Sequence, residues 1–194
     1  LCFLGPLAFP FTGEDADFDN IGAPAALQWP HLFGTDDFGR DLLVRVLEGG
    51  QVSLTIGFLG ALVAGVIGVL YGAVAGYAGG RADGLMMRLV EILYGFPYVI
   101  LVILLSLLFG GGNLALFAAI VFTLWLTPAV IVRAQAQSLA QREFVQAARA
   151  GGMTGRQIVL EHIVPNCVSV VIVYGSLLVP EVILSESFLS FLGI

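Results

Sequence analysis

Apolar residues in this chain fall into four runs, at 52–78, 92–109, 114–132 and 163–184. Each is close to the roughly 20 residues a helix needs to cross a bilayer. Polar connections lie between them at 79–91, at a tight Gly-Gly-Gly-Asn turn at 110–113, and over a long stretch at 133–162. The pattern predicts an all-α, polytopic transmembrane helical bundle. Arg81 and Arg88 fall in the first connection, and Arg133, Arg142, Arg149 and Arg156 fall in or at the edge of the third. Alternating spans put these two connections on one side, which the positive-inside rule makes cytoplasmic. Arg40 and Arg45 run against this rule, but Asp36 and Asp41 precede them by four residues, the favourable order for helical ion pairs.

The first run carries Gly60, Ala64, Gly68, Gly72 and Gly76, one small residue every four. Such a ridge lets another helix approach backbone to backbone, and tight packing inside the bundle is the expected use. Before it, Thr35 with Asp36 and Asp37 reads as a helix N-cap, and Gly49–Gly50 reads as a stop. Phe38, Leu42, Val46 and Leu47 between them predict a short helix at the outer interface. The chain therefore divides into 1–51, the end of a first span plus an extracytoplasmic segment with that helix, and 52–194, a transmembrane domain with its cytoplasmic loop at about 133–162.

Composition agrees with a membrane protein. The 194 residues are 58% hydrophobic and 11% charged, against about 25% charged in a soluble domain. Cys2 and Cys167 both sit in apolar surroundings without metal-ligand spacing, so neither a disulfide nor a metal site is expected. The net charge of −6, with no lysine, gives no support to nucleic-acid binding, and no nucleic-acid partner is expected. A secondary transporter calls for ionisable groups in mid-span, and the middle two runs have none. No channel filter is visible. An enzyme would need a nucleophile–base pair or a metal cluster; His31 and His162 read instead as a turn or packing residue and a helix-end residue.

The long connection reads helix, break, helix. Residues 134–150 are good helix formers, with Phe144, Ala147 and Ala148 on one side and Arg142 and Arg149 toward solvent; Gly151–Gly152 interrupts them. Thr154 with Gln157 three residues on forms a capping-box pattern for a second short helix. Alanines and glycines on an exposed turn bury little, and they permit another protein's surface to come close.

Gln146-Ala147-Ala148, then Gly152, then Ile163-Val164-Pro165 resembles the E-A-A, three residues, G, nine residues, I-x-L-P signature of ABC importer permeases. Gln146 stands where the signature has Glu, His162 where it has Ile, and Val164 where it has Leu. HLFGTDDFGRD (31–41), GGRADGLMMRLVEILYGFP (79–97) and SESFLSFLGI (185–194) resemble segments of the second permease of dipeptide, oligopeptide and nickel importers. The resemblance implies a type I importer permease fold of six spans, of which this chain would lack most of the first and all of the sixth.

It further implies that Gln146, Ala147, Ala148, Gly151, Gly152 and Pro165 belong to a coupling element docking on a separate ATP-binding subunit. No G-x-x-x-x-G-K-[ST] phosphate loop occurs, so the chain is not itself the ATPase, and it needs no cofactor of its own; ATP and Mg belong to partner subunits. The other implied partners are a second homologous permease, an extracytoplasmic solute-binding protein and membrane lipid, in a bacterial or archaeal plasma (inner) membrane. Peptides are the expected cargo, with nickel chelates or glutathione as alternatives on the same architecture. In the last run Glu181 directly follows Pro180 and is expected to face the translocation path. Glu186, nearer the outer end, is expected to be solvated or paired with an outer-loop arginine if it does not line that path.

Overall fold

The computed structural model describes residues 1–26 and 29–192, apart from the side chain of residue 113. Gly193 and Ile194, which close the SESFLSFLGI segment, lie outside the described residues. Among the described residues eight α-helices follow one another: α1 (Leu42–Ala78), α2 (Gly80–Tyr94), α3 (Tyr98–Leu108), α4 (Gly112–Leu124), α5 (Leu126–Ala140), α6 (Glu143–Ala150), α7 (Gly155–Ile158) and α8 (Val164–Phe191). A π-helical turn, Val159–Ile163, links α7 to α8. The chain separates into two compact units, Leu1–Thr55 and Ile56–Ile194, with the boundary inside α1.

The first unit is mostly loop. Pro6–Ala8 and Phe18–Asn20 are single 3₁₀ turns, and no α-helix covers the opening apolar stretch. The interfacial helix expected after Thr35 does not form as a separate element. Thr35 lies in an isolated bridge to Asp41, with its hydroxyl donating to the Asn20 carbonyl. The helix starts later, where the Asp41 carboxylate accepts from the Val44 N–H at 2.8 Å. Gly49 and Gly50 do not stop it; they are carried inside α1, where Gly50 leaves room for the Cys2 side chain 2.8 Å from its missing Cβ. Arg40 and Arg45 both pair with Asp36, at 2.9 and 2.6 Å, whereas Asp41 turns away from Arg45 to His31.

Among the described residues three helices are long and apolar enough to cross a membrane: Leu42–Ala78, Leu114–Ala140 and Gly155–Phe191. In the middle one 67% of the apolar 18-residue window is buried, against 33% and 17% in the other two, so it forms the centre of the bundle. A local turn at Trp125 divides it into α4 and α5, where Pro128 has no N–H to offer the Leu124 carbonyl. The run at 92–109 does not form one straight span. α2 and α3 meet at 94° across Gly95-Phe96-Pro97, because a residue before proline is pushed out of the helical region. With 11 residues, α3 reaches only about 16 Å.

The small-residue ridge packs inside the bundle. A Cβ on Gly68 would sit 2.6 Å from Pro128 Cγ and 2.7 Å from the Trp125 carbonyl oxygen, and one on Gly76 would sit 2.5 Å from the Arg133 carbonyl oxygen. Gly72 meets the Ala129 carbonyl still more closely. α1 and α5 therefore touch backbone to backbone, while Gly60 makes room for Val182 of α8. Around this contact Ala64, Ile120, Leu124, Ala129, Leu178 and Val182 form the main core.

α2 is clamped to α5 by a bidentate ion pair. Arg133 Nε and Nη2 donate to the two Asp83 carboxylate oxygens at 2.5 and 2.6 Å, and Gln137 adds a third bond at 3.0 Å. The Tyr71 hydroxyl donates to the Met86 carbonyl at 2.7 Å, tying α1 to the same helix.

Candidate coupling surface

The long polar connection folds as a rigid corner. α5 ends at Ala140 rather than running on to residue 150, because Arg142 adopts extended backbone (φ −72°, ψ 149°). The turn lets Val145 of α6 enter a second apolar cluster with Val69, Val132, Ala136, Ile158, Ile163 and Cys167. Val145 is fully buried, while Gln146 and Ala147 beside it are exposed and Ala148 is half-buried. One anchored residue thus presents a strip of small neighbours outward. Glu143 in the first turn and Arg149 in the last complement the helix dipole.

The far end of α6 is closed by a Schellman arrangement. The Met153 N–H donates to the Ala148 carbonyl at 3.2 Å and the Gly152 N–H to the Arg149 carbonyl at 3.1 Å. Gly152 has φ +86°, and nothing stands within 4 Å of where its Cβ would be. Its glycine is required by backbone conformation, and the space over it is open. Thr154 then caps α7 in a complete capping box: its hydroxyl accepts from the Gln157 N–H at 3.3 Å, and its own N–H donates to Gln157 Oε1 at 2.9 Å.

The corner rests on the end of α1. The Arg149 guanidinium lies 5.3 Å over the Tyr77 ring, so this side chain is seated on an aromatic face instead of simply extending into solvent. Gly155 passes the same ring closely enough that a Cβ would be 3.2 Å from it. His162 packs inward, its Nε2 3.4 Å from Met153 Sδ and its ring 6.1 Å from that of Phe144. Pro165 is exposed in the first turn of α8, where its missing N–H costs least; the π turn just before it widens the backbone that its ring would otherwise meet.

Gln146, Ala147, Ala148, Gly151 and Gly152 are therefore brought together on one corner, with Pro165 at the start of the helix it feeds. Sequence reasoning misses what holds the corner. The Gln146 Nε2 donates to the Ala140 carbonyl at 2.9 Å, across the break between the two helices. A glutamate there has no such donor, and the departure from the Glu-Ala-Ala pattern is the signal that would have pointed to the bond.

Glu181 and Glu186 lie on α8 and are not equivalent. Glu181 is exposed, whereas Glu186 is only 9% exposed, so the expectation of a solvated carboxylate at 186 is corrected. Glu186 is drawn inside because it shares the inward face with Val182 and Leu189, and the Ser187 hydroxyl donates to it at 3.3 Å. Near Glu181 a further polar group appears that periodicity does not reveal. The hydroxyl of Tyr98, on α3, is buried with no hydrogen bond of good geometry. The hydroxyls of Ser185 and Thr123 and the carboxylate of Glu181 are its polar neighbours.

The described residues thus form a helical bundle of the multi-span membrane class, with one small-faced corner. The chain belongs to the family described as binding-protein-dependent transport system inner membrane component, whose model matches residues 68–194. It is 51% identical over 191 residues to the oligopeptide transport system permease protein OppC of Haemophilus influenzae, covering 98% of this chain and 61% of that protein. Its identity to the OppC protein of Escherichia coli K12 is also 51%, over 98% of this chain and 63% of that one. The dipeptide transport system permease protein DppC of Bacillus subtilis is 44% identical over the whole chain and 60% of its own length. The chain spans about three fifths of the length of these relatives. All three are named as permease proteins of transport systems.

Proposed function

We propose that the chain is a permease subunit of an ATP-driven, binding-protein-dependent importer of peptides in the bacterial inner membrane. ATP and Mg are bound by separate subunits, and the α6 corner, on the cytoplasmic side, docks in a groove on one of them. A second homologous permease completes the membrane pair, and an extracytoplasmic binding protein delivers the cargo.

The observation that carries this reading is the exposed strip Gln146, Ala147, Gly151 and Gly152, mounted beside the buried Val145. Small residues let a partner surface close onto the backbone. The anchor makes the corner a lever, because Val145 belongs to one apolar cluster with residues of α1, α5 and α8. A push on α6 therefore moves three helices together. Peptides as cargo are supported by relatives named for oligopeptide and dipeptide transport. A nickel chelate or glutathione would use the same machinery.

Glu181 and Glu186 are assigned to the translocation path within this reading. A charged side chain at the centre of a span costs about 2.5–3.5 kcal/mol on insertion scales. An exposed Glu181 on an apolar helix therefore calls for a wet passage or a polar partner rather than lipid.

Hydrogen exchange tests the docking. In the assembled transporter, amides of 143–157 should exchange more slowly than in a permease pair stripped of its ATP-hydrolysing subunits. Equal exchange, with the subunits demonstrably bound, would refute docking at this corner.

A further inference from the structure

The Tyr98 hydroxyl has three polar neighbours from two other helices, Thr123, Ser185 and, on the exposed side, Glu181. Tyr98 begins α3, Thr123 lies one residue from the end of α4, and Glu181 and Ser185 lie four residues apart on α8, hence on one face. Tyr98 is packed against the main core, and its hydroxyl oxygen is fully buried without a well-formed hydrogen bond. The Thr123 hydroxyl donates to the Ile120 carbonyl at 2.8 Å, so toward Tyr98 it offers only a lone pair. Directly before Glu181, Pro180 has no N–H for the Ser176 carbonyl, which leaves a further acceptor one turn below. The cluster is rich in acceptors and contains one carboxylate and no cation.

Resting on the assignment of Glu181 to the translocation path, we propose that Glu181, Tyr98 and Ser185 form a subsite for a primary ammonium group, the free amino terminus of a peptide in transit. An ammonium carries three N–H donors and no acceptor. The Glu181 carboxylate supplies charge and one acceptor, and the Tyr98 and Ser185 hydroxyl oxygens supply the other two. The hydroxyl protons remain free to turn elsewhere, that of Tyr98 toward Thr123. An acylated amino terminus keeps one N–H, loses the charge and gains a carbonyl oxygen, which would lie against the carboxylate. The subsite therefore separates free from acylated peptides while leaving the peptide's side chains unread. Its neutral alternative is a structural contact in which Glu181 meets a polar group of the partner permease.

The transporter assembled with its partner permease, ATP-hydrolysing subunits and binding protein is placed in proteoliposomes. Uptake of tri-alanine and of N-acetyl-tri-alanine is measured, each at a concentration saturating the binding protein. The subsite predicts that Glu181→Gln slows tri-alanine uptake about tenfold, as expected for loss of a charge-assisted hydrogen bond, with the acetylated peptide changed less than about twofold. Tyr98→Phe should show the same selectivity more weakly. An equal fall for both peptides, or no fall for either, overturns the subsite. A separate measurement tests the reading beneath it: Glu181→Cys, in a background lacking Cys2 and Cys167, should react with a small cationic thiol reagent in the assembled transporter and be protected by excess tri-alanine. A cysteine that never reacts removes Glu181 from the path altogether. One that reacts while peptide selectivity is unchanged removes only the ammonium subsite.

Discussion

The Gln146 side chain bridges to the Ala140 carbonyl at 2.9 Å and so fastens the first turns of α6 to the last carbonyls of α5. Between the two residues the backbone bends at Gln141–Arg142 with no glycine or proline. The amide and the buried Val145 are what hold the bend. Gln146→Ala should leave insertion intact and loosen the corner by about 1 kcal/mol, the usual worth of one such bond. Limited trypsin digestion of inside-out membranes should then cut faster at Arg142. An unchanged rate would show that Val145 alone suffices.

The first unit contains a proton-dependent fastening. His31 sits between two carboxylates, Nδ1 2.9 Å from Asp41 and Nε2 3.1 Å from Asp17. Burial pushes its pKa down, but hydrogen bonds to Asp41 and Asp17 outweigh that and leave it above the ordinary histidine value. As an imidazolium it donates to both; as a neutral ring it donates to one. The stabilisation is thus complete below about pH 6.5, the usual histidine value, and fades as pH rises through the raised pKa. Because Asp41 also caps α1, the Val44 amide is the reporter: its exchange should show a steeper rise in opening with pH than in His31→Gln. Parallel profiles for the two proteins would contradict this. Asp36 acts oppositely. Asp36 is brought to about 2, burial being outweighed by N–H bonds from Arg40 and Phe38 and by the Arg40 guanidinium, so its contribution is lost only in strong acid.

The Asp83–Arg133 clamp is nearly dry on one side only, with Asp83 9% and Arg133 31% exposed. Breaking a buried pair by removing one partner costs about 3–5 kcal/mol, and the lower end applies where one member keeps solvent. Asp83→Asn should therefore lower the melting temperature in detergent clearly, and Asp83→Asn combined with Arg133→Gln should cost less than the sum of the two single changes. Additive losses would mean the pair is not coupled.

On α1 the glycines separate into two kinds. Gly72→Val should abolish stable folding, since even a Cβ would meet the α5 backbone at Ala129 and Arg133. Gly65→Ala meets nothing within 4 Å and should stabilise the helix by up to about 1 kcal/mol. Comparing yields and melting temperatures of the two proteins checks the packing directly.

Small residues recurring every four positions declare the α1–α5 contact in the sequence, because their only physical use in a span is close approach. The Thr154–Gln157 capping box is equally local and equally legible. The break at Gln141–Arg142 is not, because both residues are good helix formers and the cause is the burial of Val145 by distant side chains. The 94° bend carries its mark in Pro97, but an apolar run from 92 to 109 reads through it. The His31 clamp joins residues 10 and 14 apart, and the Asp83 clamp residues 50 apart, separations that no periodicity reports. Gly49–Gly50 misleads for a related reason: tertiary contact with the Cys2 segment outweighs the helix-breaking tendency of the pair.

The central claim is that the small face of α6 is where the ATP-hydrolysing subunit pushes. Gly152 is a poor probe, since its φ of +86° strains any replacement. Ala147 is exposed, ordinarily helical and beside the anchor, so Ala147→Trp changes the surface without straining the fold. ATP-driven peptide uptake by the reconstituted transporter is the measurement, taken alongside the amount of ATP-hydrolysing subunit that co-purifies. The docking reading predicts that Ala147→Trp folds and pairs with its partner permease normally, retains less of that subunit and loses uptake by at least about tenfold, the effect of only 1.4 kcal/mol at the contact. Normal uptake with the subunit fully retained would contradict it.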